Sequence, residues 1–275
     1  MKTAITALAI VAGTTASAQT LNAVSSGSNN FLSESVTAGA LVYNGNAYLG
    51  DGDFGNGDWD PGDMFGRTTG GVTAGGAAAG LPFAMQDDSA GSFPTDGVGI
   101  ISEFDTTTEF FGVVDTANNV NGSGFGTADY TWADTGANTF VDSFSVDVAA
   151  IGDFEGSDQY RWDISTDGGS TFTNIASAAA NEDISFQYTM DSGALSTLND
   201  PMVLDGTILT NDFATFTFDN LNLAVTGDIV LRFVGASDGG SEAFAWNNAS
   251  IEVVPAPASA ALLGLGGLAA ARRRR

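Results

Sequence analysis

The feature that most limits what this chain can fold into is a two-residue apolar alternation. It recurs in short runs, each closed by Gly, Asn, Asp, Ser or Thr, with no long 3.6-residue pattern between the two ends. In residues 139–148 (TFVDSFSVDV), Phe140, Phe144, Val146 and Val148 share one parity, and in residues 159–165 (QYRWDIS), Tyr160, Trp162 and Ile164 share one face. Similar runs predict strands over 108–114, 183–190, 214–218, 228–234 and 243–253. One apolar face per strand is what a two-sheet core requires, so the chain is read as all-β, a β-sandwich. A jelly roll is the first expectation and a concanavalin-like sandwich the alternative. Residues 19–254 are read as one domain with a loop-rich first half to about residue 138, two small domains divided there being the alternative.

Charge narrows the function. Of 8 Lys and Arg residues, Lys2 and Arg272, Arg273, Arg274 and Arg275 lie at the ends, leaving Arg67, Arg161 and Arg232 to face all 33 acids. The body is lysine-free with a net charge of −30. Such a surface repels phosphate backbones, which excludes nucleic acid as a partner, and it attracts divalent cations. The chain has no His and no Cys, which removes Ser-His-Asp triads, thiol nucleophiles and zinc sites of the usual ligand set. Any chemistry falls to carboxylates, with or without an oxygen-liganded metal.

The two ends read as addresses. Lys2, an apolar run over 4–12 and the small residues Ala16-Ser17-Ala18 make a signal peptide, with cleavage expected before Gln19. At the other end Pro255-Ala256-Pro257 leads into the apolar run 258–271 and then Arg272 to Arg275. This tail resembles the PEP-CTERM sorting signal of Gram-negative bacteria, with Ala256 where the name-giving motif has Glu. The resemblance implies a C-terminal sorting helix to match the N-terminal signal helix, transient inner-membrane association and removal of the tail by an exosortase-type enzyme. It further implies delivery to the cell surface or extracellular matrix. An ordinary C-terminal anchor is the alternative.

The second half also resembles a module of secreted bacterial proteins that is commonly a jelly roll. The likeness lies in the strand Phe144-Ser-Val-Asp-Val, the Asp167-Gly-Gly turn and the late stretch from Asp238 to Phe244.

Acidic motifs supply the candidate metal ligands. Residues 51–63 (DGDFGNGDWDPGD) place Asp51, Asp53, Asp58, Asp60 and Asp63 on a glycine-rich loop, read either as a calcium loop or as a solvated acidic turn. Asp153, Glu155 and Asp158 follow a strong strand and supply three oxygen ligands within six residues. Asp238 and Glu242, with Asn247, are expected to complete that site from another loop. Structural Ca²⁺ is therefore expected. Trp59, Trp132 and Trp246 are candidate sugar-stacking platforms for an extracellular polysaccharide.

Two further motifs are weighed. Ser165 to Phe172 matches the Asp-box of sialidases, with Phe172 in the Trp place, and a single copy is read as a hairpin turn built around Asp167. Glu103, Glu109, Glu155, Glu182 and Glu242 are available for glycosidase chemistry, although no spacing singles out a pair. The expected function is that of an exported, non-catalytic matrix or surface protein. A carboxylate-dependent glycan hydrolase or lyase is the alternative.

Overall fold

In the computed structural model the described residues are 18–38, 41–44, 64–69, 109–117, 121–136, 138–189, 193, 195–239 and 242–256. They form strands and no helix. The first half supplies β1 (Gln19–Ala23), β2 (Ser33–Ala38), β3 (Leu41–Asn44), β4 (Met64–Thr69), β5 (Glu109–Val114) and β6 (Gly126–Trp132). β7 (Thr139–Gly152), β8 (Gln159–Ser165), β9 (Thr173–Ala180), β10 (Ser185–Thr189), β11 (Leu195–Asn199) and β12 (Met202–Leu204) follow. The chain ends with β13 (Thr207–Ile208), β14 (Ala214–Phe218), β15 (Leu223–Ala224), β16 (Ile229–Ala236) and β17 (Glu242–Pro255).

Two antiparallel sheets form the sandwich. One runs β14-β7-β17-β5-β4, with β15 extending the β14 edge and β1 pairing the second half of β17. The other runs β13-β12-β9-β8-β16-β6-β2-β3. The chain crosses between them at β1/β2, β3/β4, β5/β6, β6/β7, β7/β8, β13/β14, β15/β16 and β16/β17, the alternation of a jelly roll. Strands of the first half pair directly with those of the second, β6 with β16, and β5 and β1 with β17.

The core lies between the sheets. Phe144, Val146 and Val148 of β7 and Phe244, Trp246 and Ile251 of β17 meet Tyr160, Trp162 and Phe233 from the facing sheet. Trp246 stacks on Phe111 at 5.4 Å, and Tyr160 lies flat on Phe244 at 3.9 Å. Each such ring pair contributes about 1 kcal/mol beyond its buried area. One expected inward residue is displaced: Val141, not Phe140, is buried. A register shift where Ser143 faces Glu252 and Val141 faces Val253 puts an extra residue into β7 and moves its parity by one.

β5 (EFFGVV) is buried along its whole length because its outer face is also covered. The β10–β11 hairpin lays Phe186, Tyr188 and Leu198 over Phe110, Val114, Ile151 and Ala243. A strand covered on both faces reads as a continuous apolar run.

One ionic group crosses the sandwich. Arg67 on β4 donates through Nε and Nη2 to Glu34 of β2 in the opposite sheet, at 3.0 and 2.7 Å, and through Nη1 to Glu109 of β5 at 2.5 Å. Asn29 Nδ2 donates to both Glu109 oxygens, and Ser26 Oγ accepts from the Glu109 amide. Burial acts to lower the guanidinium pKa, but the hydrogen bonds and charges of the two glutamates outweigh it, and the net shift is upward. Removing the cation strands two buried carboxylates, so Arg67→Leu is expected to cost about 3–5 kcal/mol, read from the midpoint of urea unfolding. A loss under about 1 kcal/mol would show that the group contributes little.

Candidate cation site

The site is built from two connections at one end of the sandwich. The first, 153–158, joins β7 to β8. Its Phe154 is fully buried edge-on against Tyr160, which pins the connection and turns its acids together. The turn closes on itself: Asp158 N donates to Glu155 O at 2.9 Å, and Glu155 N donates to Asp158 Oδ2 at 2.7 Å. The second, between β16 and β17, is braced by β5's exit, where Thr116 and Ala117 amides donate to Ser237 O and Ser237 N donates to Thr116 Oγ1.

Four carboxylates converge there. One oxygen from each of Glu155, Asp158, Asp238 and Glu242 lies within 4.8 Å of the other three. Asp158 and Glu242 are 4% and 1% exposed. Asp158 Oδ1 is buried with no hydrogen-bond partner among the described residues, whereas Glu242 Oε2 accepts from Gly239 N at 2.9 Å. Two ionised carboxylates at this separation repel by about 3 kcal/mol at an effective dielectric near 20, so four cannot all be charged without a counter-charge.

No cation among the described residues supplies that counter-charge. Arg67 is held by Glu34 and Glu109, Arg161 bridges Asp163 at 3.0 Å, and Arg232 grips Asp129 at 2.7 Å. The remaining neutralisers are protons or a bound cation. Accordingly, burial together with the charges of Asp238 and Glu155 pushes the Asp158 carboxyl up to about 7. Burial, the charge of Asp158 and a hydrogen bond with Glu155 push Glu242 well above the carboxylate range. An all-oxygen set of four carboxylates, two of them buried, suits a hard divalent cation and can hold one.

A groove of 690 Å³ opens beside the cluster and shares Gly156 and Asp158 with it. Its other acids are Glu182, Asp183 and Asp205, and Glu182 Oε1 accepts from Gly156 N at 2.7 Å.

Of the residues expected from sequence, Glu155, Asp158, Asp238 and Glu242 meet. Asp153 does not, because buried Phe154 between it and Glu155 turns it away; burial and Asp200 raise its pKa. Asn247 is buried on β17 opposite Asp147, outside the cluster. The sugar-stacking expectation for Trp132 and Trp246 is corrected: they are 3% and 0% exposed, Trp132 Nε1 donates to Asn30 Oδ1, and neither ring can offer a face to a ligand. Glu109 belongs to the Arg67 group. Asp51, Asp53, Asp58, Asp60, Asp63, Trp59, Glu103, Pro257 and Arg272 to Arg275 lie outside the described residues.

The Asp-box is a turn between β8 and β9. Asp167 Oδ1 accepts from the Ser165 hydroxyl and from the Ser170 and Thr171 amides, and Thr171 Oγ1 donates to Oδ2 at 2.6 Å. The Thr171 hydroxyl and amide and the Ser165 hydroxyl lower the Asp167 pKa to about 2. Gly168 and Gly169 take φ of +74° and +85°, and Phe172 is covered by Arg232, 4.0 Å above its ring.

No family model matches the chain, and no curated protein matches it. Among solved structures it is similar to a Stig cyclase, Fisc, from Fischerella sp. TAU in complex with (3Z)-3-(1-methyl-2-pyrrolidinylidene)-3H-indole. The identity is 15%, over 82% of this chain and 100% of that one, with a TM-score of 0.34. A second Fischerella sp. TAU cyclase, in complex with 4-(1H-indol-3-yl)butan-2-one, is 16% identical over 71% of this chain and 77% of its own, with a TM-score of 0.31. These neighbours are cyclases, which departs from the expectation of a non-catalytic matrix protein, and that expectation is not carried further. Likeness at this level carries no substrate or reacting residue to this chain.

A pH dependence follows from the cluster. A carboxyl whose folded pKa is raised favours the fold below its unfolded pKa, near 4, and that advantage is lost as pH rises through the folded value. In EDTA the melting temperature is expected to fall between pH 5 and pH 8 through Asp158, and saturating Ca²⁺ should flatten the fall by replacing the protons. A profile in EDTA that rises over that interval would contradict this electrostatic account.

Proposed function

We propose that this chain is an exported, calcium-binding β-sandwich protein in which Ca²⁺ at Glu155, Asp158, Asp238 and Glu242 locks the β7–β8 and β16–β17 connections and shapes the acidic groove beside them. The carrying observation is the buried, unpartnered Asp158 Oδ1 among four converging carboxylates, in a body whose three arginines are all engaged elsewhere. Calcium suits this donor set better than magnesium, since it takes irregular carboxylate and water shells of six to eight oxygens. Protein oxygens fill part of such a shell here and water the rest.

Export is supported by the basic-apolar-small pattern of residues 1–18 and by the PEP-CTERM-like tail at Pro255, Pro257 and Arg272 to Arg275. The reading draws further support from β1 beginning at Gln19, the residue expected after signal cleavage, and β17 ending at Pro255. Millimolar calcium outside the cytoplasm would fill even a weak site.

The metal reading is tested by calorimetric titration and melting curves with Asp158→Asn beside the unaltered chain. The unaltered protein is expected to gain about 2.7 kcal/mol at a hundredfold excess of Ca²⁺ over Kd. Asp158→Asn removes a buried charge at constant shape, so it should melt higher than the unaltered chain in EDTA and lose most of the calcium response. Equal melting of the unaltered chain in EDTA and in Ca²⁺ would end the proposal. For export, intact-mass analysis of the secreted protein should give Gln19 as first residue and no Arg275; retention of Arg275 in the secreted form would remove the sorting reading.

A further inference from the structure

The groove beside the cluster has a chemistry of its own. Ser177 and Ala179 of β9 and Val203 of β12 line it, short side chains that leave room above the sheet, with Val203 opposite Ala179 on the ladder. Its acids come from three connections. Glu182 and Asp183 follow β9, where Asn181 N donates to Pro201 O at 3.0 Å and Glu182 accepts from Gly156 N. Asp205 sits in the two-residue Asp-Gly turn between β12 and β13, where Asp205 and Gly206 both take positive φ, the hairpin turn this pair favours. Asp158 comes from the β7–β8 connection. It lines the groove, is 4% exposed, and keeps Oδ1 without a hydrogen-bond partner among the described residues.

Charge and spacing select the ligand. Among the described residues no cation and no aromatic ring lines the groove. Arg161 is opposite Ser177 on the β8–β9 ladder, but Asp163 holds its guanidinium at 3.0 Å. An anion is therefore repelled, and a neutral sugar finds no ring to stack on. A single metal ion does not match either, because Glu182, Asp183 and Asp205 do not converge as the four carboxylates of the cluster do. Separated acids around small and apolar side chains match several positive centres joined by an apolar spacer. Each exposed ion pair contributes less than about 1 kcal/mol, but pairs on one ligand reinforce each other, since the first contact raises the effective concentration of the next. The volume, 690 Å³, is that of a small-molecule site.

We propose that the groove binds an extended aliphatic polyamine. One ammonium meets Asp158 at the cluster end, others meet Glu182, Asp183 and Asp205, and the methylenes lie on Ala179 and Val203.

The test is a calorimetric titration of the full chain with spermidine in EDTA and about 150 mM NaCl, where diffuse attraction to the acidic body is screened. Hexaamminecobalt(III), a compact cation of the same charge without a spacer, is titrated beside it. Spermidine is expected to bind one equivalent at least about tenfold more tightly, because only an extended ligand reaches all the separated acids. Asp158→Asn and Asp205→Asn should each weaken it about threefold or more, whereas Glu252→Gln, at an exposed acid ten residues along β17 from Glu242, should not. Asparagine suits the positive φ at residue 205, so that variant keeps the turn. Absence of binding would overturn the proposal. Equal affinity for the two cations, or equal weakening by Glu252→Gln, would do so too, by reducing the effect to counterion attraction. Binding unchanged in both Asp158→Asn and Asp205→Asn would place the polyamine elsewhere and overturn the groove as its site. No calcium is present in this titration, so failure here leaves the calcium reading standing.

Discussion

The pairing of β17 with β7 is the constraint on which the other features hang. Their ladder runs from Glu242 opposite Gly152 to Pro255 opposite Thr139, the longest among the described residues. Its inward side chains, Phe144, Val146 and Val148 from one strand and Phe244, Trp246 and Ile251 from the other, form one wall of the core. β17 then seats β5 along its first half and β1 along its second. Its first residue, Glu242, belongs to the carboxylate cluster, and its last is Pro255. A register slip would therefore disturb core, cation site and the β1 pairing together, because a shift of one residue turns every inward side chain outward.

The protein buries acids in two ways, and the contrast explains why one group looks structural and the other functional. Glu34 and Glu109 share Arg67, with Asn29 filling remaining acceptor sites, so their charge is met inside the fold. Among the described residues no arginine pairs with Glu155, Asp158, Asp238 or Glu242, and Asp158 keeps a buried oxygen without a donor. The first arrangement is complete in the isolated chain. The second is complete only with protons or a cation, so its charge balance depends on what the surroundings provide, which is the condition for a site that responds to a ligand.

Much of the sandwich was legible in the sequence. The runs 159–165 and 214–218 are strands with those bounds, and alternation identified the inner face of β8 correctly. Alternation reports which residues share a face, not whether the other face is covered or where a bulge resets parity. That is why Phe140 was misplaced. Trp246 lies on the same inward parity as Phe244, and a second register shift between Asn247 and Ser250 brings Ala249 and Ile251 to that side as well. The cluster was legible as two acidic stretches near strand ends, but the exclusion of Asp153 depends on Phe154 turning inward. The Arg67 group was not legible. It joins residues 34, 67 and 109, and only the crossing of β2 and β4 into opposite sheets brings them together.

The order of synthesis gives the position of β17 a further meaning. The strand made last is central to its sheet, so neither that sheet nor the Glu242 corner can close until residue 255 is free of whatever machinery holds it. Pairings this distant in sequence are slow in any case, because the cost of loop closure precedes the gain from contact. On the proposed export route the body then remains open while it crosses the membrane, and it folds on the far side. On that proposal calcium is abundant there, and the four carboxylates would first come together where an ion able to neutralise them is present.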